Sequence, residues 1–251
     1  MLLDMNQNMR SVAAPLACRE DSSKSSRPAH HRVPLADGER QQRLWRAVEC
    51  GDASGVQDAL ASGASAELRG PSGLTPLMLA AKRRDSECAK VLRPHSDLSA
   101  KDPRHQTALM MAAASGDASC VEILADSASC AARMFDGATA LMLAARECSA
   151  PCLEILLKWS DPDAADWDGL TSLMELAMRG FQEGVQLLAP LCDLEAQDSS
   201  GKTALDFALA CQCEEAADYL AAVARSRSEL CELSQANSVP PPMPNLKRRS
   251  L

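Results

Sequence analysis

TALMLAA, residues 139–145, has four relatives in the same chain: TPLMLAA at 75–81, TALMMAA at 107–113, TSLMELA at 171–177 and TALDFAL at 203–209. The threonines that open them, Thr75, Thr107, Thr139, Thr171 and Thr203, stand 32 residues apart every time. A second column holds the same register, with KVL at Lys90, EIL at Glu122 and Glu154 and QLL at Gln186, each 15 residues after its threonine. A fixed period of this size means one supersecondary unit stacked on copies of itself. Each copy contains two short apolar runs separated by a polar break such as ASGDAS, which predicts helix, turn, helix and an all-α solenoid.

The punctuation agrees with the period. Gly73, Gly137, Gly169 and Gly201 lie two residues before their threonines, and Asp102, Asp166 and Asp198 lie five before, a turn signature. His105 takes the glycine position in one copy. Asp85, Asp117 and Ser149 stand where each second helix needs a side-chain acceptor for its free amides. Upstream, Leu44 to Ser65 repeats the two-helix pattern without the turn, aligning Gly51 and Asp52 with Gly116 and Asp117. The last copy carries Asp206 and is expected to end near Ala224. About six units follow: a cap over 41–74, then 75–106, 107–138, 139–170, 171–202 and 203–224. Residues 1–40 and 225–251 are polar, unpatterned flanks expected to be disordered.

Composition fits stacked thin helices: 46% of the chain is apolar but only 3% is aromatic, so the core is aliphatic. Net charge is −8, made of about +1 in residues 1–40, about +3 in 225–251 and about −12 between them. An acidic body repels a phosphate backbone, which argues against a nucleic-acid partner. The first residues lack a basic start followed by a long apolar core, and no apolar run approaches a membrane span. With 11 cysteines and no secretory signature, the chain reads as soluble, intracellular and thiol-rich, hence cytoplasmic, with a nuclear location left open.

The order Asp, two residues, Gly, one residue, Thr-Pro/Ala-Leu, then Ala-Ala, Gly-Asp and Val-x-x-Leu-Leu resembles the ankyrin repeat, over about three quarters of the chain. The likeness departs from the family where a histidine is usual three residues after the threonine, since Met78, Met110, Met142 and Met174 stand there. The TALMxAA and CVEIL wording is similar to ankyrin adaptors abundant in some parasitic protists, others of which follow a kinase domain. No HRD or DFG occurs here, so only the adaptor implication carries over.

That resemblance implies a turn that projects as a finger and a first helix that lines a concave face. Four residues before the threonines come Pro71, Pro103, Phe135, Trp167 and Ser199, and an aromatic at a fingertip has no core to fill. Phe135 and Trp167 are the leading candidates for protein binding; the competing reading folds each ring onto the neighbouring finger. Pro103, Arg104, Asp136, Asp168 and Lys202 join them in the fingers, with Lys82, Arg83, Arg146, Glu147, Met178 and Arg179 at the first-helix ends. Any one of these charges is more simply a solvated surface residue, and only the column as a whole carries weight.

The remaining chemistry reads as structure. Cys88, Cys120 and Cys152 recur at the period, with Gly184 and Ala216 in the same column, which is a packing position. Cys211 and Cys213 form a lone C-x-C, short of the ligands structural zinc requires, so no metal and no cofactor is expected. His30, His31, His95 and His105 belong to no catalytic constellation, and the chain is read as a non-enzyme. Pro240, Pro241, Pro242 and Pro244 favour an extended segment suited to an SH3-type domain, and Lys247, Arg248 and Arg249 before Ser250 resemble a basophilic kinase site; a plain solubilising tail competes with both. The functional expectation is a protein-binding adaptor or scaffold, with a cytoskeleton-associated structural component as the alternative.

Overall fold

A computed structural model describes residues 37–237, and among them every regular element is helical. The pairs run α1 (Asp37–Cys50) with α2 (Ala53–Ala61), α3 (Pro76–Lys82) with α4 (Ser86–Leu92), and α5 (Ala108–Ser115) with α6 (Ala118–Leu124). A single turn, α7 (Ser127–Cys130), follows α6. Then come α8 (Ala140–Arg146) with α9 (Ala150–Leu156), α10 (Ser172–Arg179) with α11 (Gln182–Leu188), and α12 (Ala204–Ala210) with α13 (Glu214–Asn237). First helices pack on first helices and second on second, in chain order, so the pairs form one stack. The all-α repeat architecture read from the spacing is the architecture observed.

Most of these helices have seven or eight residues, too few to persist alone in water, so stacking must hold them. Leu77, Leu109, Leu141 and Leu173 are all but fully buried, and the alanines at Ala81, Ala113, Ala145 and Ala177 let adjacent first helices approach closely. Each threonine caps its helix: its Oγ1 accepts the backbone N–H of Met78, Met110, Met142, Met174 or Asp206 at 3.3–3.4 Å. The four methionines are buried, and the Thr75 N–H donates to the Met78 thioether at 3.4 Å. Asp206, at the open end of the stack, accepts the Thr203 N–H at 2.8 Å, and this bond holds its carboxyl below the usual range.

The second helices show one correction. Asp85 and Asp117 cap as expected, accepting from the Cys88 and Ser119 amides at 2.9 and 3.1 Å. Ser149 occupies the cap position but makes no such bond. Pro151, two residues on, has no N–H to offer where Ser119 serves Asp117.

The stack also ends differently from the expectation of a boundary near Ala224: α13 continues to Asn237. Arg227, past that expected end, donates to the carbonyls of Ala189, Pro190 and Cys192 at 2.7–2.8 Å, satisfying acceptors beyond α11 that its own helix leaves open. Arg227→Ala is expected to cost about 1–2 kcal/mol, because charge-assisted bonds to half-buried carbonyls are lost. Amide exchange should then quicken over the second half of α13 and leave α8 unchanged; equal protection throughout would remove Arg227 as its anchor. Residues 1–36 and 238–251 lie outside the described residues, and with them the leader, the proline run and the basic triplet.

Candidate protein-binding surface

The fingers are built by aspartates. Asp102 Oδ1 accepts from the amides of Arg104 and Gln106 at 2.8 and 2.7 Å, and Asp166 Oδ1 from those of Asp168 and Leu170 at 3.0 and 2.9 Å. Asp198 repeats the arrangement with Ser200 and Lys202, and the Lys202 amide above all holds its carboxyl below the usual range. The turn requires a left-handed residue two positions before the threonine, and Gly73, Gly137, Gly169 and Gly201 have φ between 76° and 86°. His105 adopts φ 62° in their place, so the finger geometry survives the exchange.

Neighbouring fingers are then tied together. The Trp167 N–H donates to the Asp136 carbonyl at 3.0 Å and the Ser199 N–H to that of Asp168 at 2.8 Å. Behind them Arg69 donates to the Lys101 carbonyl and Arg133 to the Ala165 carbonyl, both at 2.6 Å. Arg69, Lys101 and Arg133 stand six residues before three successive threonines, with Ala165 and Gln197 in the next two copies, and no spacing reveals their backbone acceptors.

On this braced edge one aromatic fingertip touches its neighbour and still faces water. The Trp167 ring lies across Gly137, where a Cβ would come within 2.7 Å of Cδ1, yet 77% of the residue remains exposed. Phe135 is 52% exposed, and Pro103 sits over Gly73 in the same manner as Trp167 over Gly137. Asp168 and Arg104 are exposed and Asp136 is half-buried, its Oδ1 accepting the Ala138 amide at 3.0 Å.

The first-helix ends divide. Lys82 and Arg83 are exposed, and Lys82 shares with Arg104, Gln106 and Met111 a cleft of about 540 Å³ between fingers and helices. Arg146 instead points along the stack, its Nε 2.8 Å from Glu175 Oε1 and its Nη2 3.8 Å from Asp166 Oδ2. Arg179 Nε lies 3.7 Å from Glu175 Oε2. Glu175, only 6% exposed, is the residue that reading the columns for binding candidates passed over. Its signal was present: the position four after the threonine is otherwise Leu79, Met111, Leu143 and Phe207.

The cysteine column is buried against the first helices. Burial, with a hydrogen bond to Asp85, pushes the Cys88 thiol up to about 12, and burial raises Cys120 and Cys152 as well, which leaves them protonated and poorly nucleophilic. At Gly184, in the same column, a Cβ would meet Leu176 at 2.7 Å, so small residues belong there. Among the described residues no group of three or more metal-ligating side chains converges, and no described helix is long and apolar enough to cross a membrane.

The family model described as Ankyrin repeats (3 copies) matches residues 44–134, 94–166 and 141–228. Among solved structures, the ankyrin repeat protein EF0377 is 25% identical, with 72% of this chain and 97% of that one covered and a TM-score of 0.66. The ankyrin repeat domain of Bcl-3, of the IkappaB protein family, is 24% identical over 70% of this chain and 80% of its own, with a TM-score of 0.63. An ankyrin repeat domain from Acinetobacter baumannii AYE is 23% identical over 72% and 97%, with a TM-score of 0.65. Among curated proteins none matches the sequence.

Proposed function

The chain belongs to the ankyrin-repeat family, whose repeats generally serve protein–protein interaction, and from that premise we propose that it is a non-enzymatic adaptor gripping a protein partner by its fingers. The observation that carries this reading is Trp167: a large aromatic ring, mostly exposed, on a finger whose backbone is bonded to its neighbour. Such a side chain buries much area on docking and gives up little freedom, because Gly137 and the inter-finger bond already hold it. Phe135 on the preceding finger extends the apolar contact, and Pro103, Arg104 and Lys82 lie along the same edge. Asp136, Asp168, Arg83 and Arg179 give that edge both signs of charge, suited to a partner with complementary polar groups.

The test is capture of partners by the intact chain and by a Phe135→Ala, Trp167→Ala double variant, with circular dichroism to verify the helices. Affinity for the principal partner is expected to fall by roughly 2 kcal/mol, about thirty-fold. Partners retained at full strength by a folded double variant would move the binding site off these fingers.

A further inference from the structure

A second exposed apolar pair lies away from the fingertips. Trp159 and Leu191 occupy equivalent places after α9 and α11, 52% and 57% exposed, where other copies carry Gly63, His95 and Ser127. Their loops are joined: the Asp193 N–H donates to Asp163 Oδ1 at 2.7 Å and the Cys192 thiol to the Pro162 carbonyl at 3.7 Å. The same loops carry Asp161, Asp163, Asp193 and Glu195, all exposed, against Lys158 and, from α13, Arg227, whose guanidinium is engaged by the carbonyls beside Leu191. An apolar step with an acidic border calls for an extended segment that is apolar at one end and basic at the other.

Such a segment follows α13. Residues 238–251 read SVPPPMPNLKRRSL, four prolines and then Lys247, Arg248 and Arg249. Arg227 fixes α13 against the carbonyls of Ala189, Pro190 and Cys192, beside Leu191. From there ten helical residues to Asn237 advance about 15 Å. Fourteen extended residues reach roughly 45 Å, enough to return across both loops. We propose that residues 238–251 dock on this face of their own chain, the prolines covering Trp159 and Leu191 and the basic triplet meeting the four carboxylates. Proline rings pack well on an indole, and a run of prolines in general surrenders little entropy on docking. The site is separate from the fingers and does not depend on the function proposed for them.

The indole N–H resonances of the ¹⁵N-labelled full chain test this, with Trp159→Phe identifying the relevant peak among Trp45, Trp159 and Trp167. In a Lys247→Glu, Arg248→Glu, Arg249→Glu variant, and in one with the four prolines changed to Ala, the Trp159 resonance is expected to shift at every protein concentration. Trp45 and Trp167 should stay in place, which also reports an intact fold. A Trp159 peak unmoved in both variants overturns the proposal. So does a peak that moves on dilution of the unaltered chain, which assigns the face to a second copy, and so does movement of Trp167 in its stead.

Discussion

Leu141→Ala is expected to lower the free energy of unfolding by about 3–4 kcal/mol, and Leu205→Ala by only about 1 kcal/mol, although both remove the same atoms from the same position of the repeat. Leu141, on α8, is fully buried between α5 and α10, so its loss leaves a cavity whose walls are helices held on both sides. Leu205, on α12, is half-buried because, among the described residues, no further first helix stacks beyond it. In a solenoid each unit contacts only its neighbours, so a side chain with one neighbour contributes less than one with two. Urea unfolding of both variants measures the difference. Equal losses would mean that the stack is not the linear arrangement described, or that α12 has a covering element on its outer side.

Much of this was legible because a stacked repeat writes its geometry into columns. Thr75 and its four successors set the register by their 32-residue spacing, and all five prove to be helix caps that accept the amide three residues on. The cysteine column was legible for the same reason: Gly184 and Ala216 in it could only mean close packing. What escaped depended on single residues off the pattern. Ser149 looked like Asp85 and Asp117, but Pro151 removed a donor. The length of α13 rested on Arg227, whose acceptors are carbonyls of the preceding unit, invisible to any periodicity. For Trp167 the sequence offered two alternatives, and the missing Cβ of Gly137 lets the ring touch its neighbour and still face water.

Arg146 and Glu175 should respond unequally to mutation, with Arg146→Ala costing about 2–3 kcal/mol and Glu175→Leu leaving stability within about 1 kcal/mol of the parent. The Glu175 side chain is 8% exposed, so taking away Arg146 strands a carboxylate among apolar first helices with only the longer Arg179 contact to offset its desolvation. The reverse change strands little: the Arg146 and Arg179 side chains are 29% and 43% exposed and can turn to water, and Arg146 keeps Asp166 within 3.8 Å. Leucine at 175 also restores the residue type that Leu79 and Leu143 supply at that position. The double variant Arg146→Ala, Glu175→Leu should therefore recover most of the loss, a non-additivity that a denaturation cycle resolves. Additive losses would show that Arg146 stabilises by packing its stem and not by its charge. With recovery, Glu175 is the residue that holds Arg146 along the stack, withdrawing from the surface of the first-helix ends a cation that its sequence position alone would place among the partner contacts.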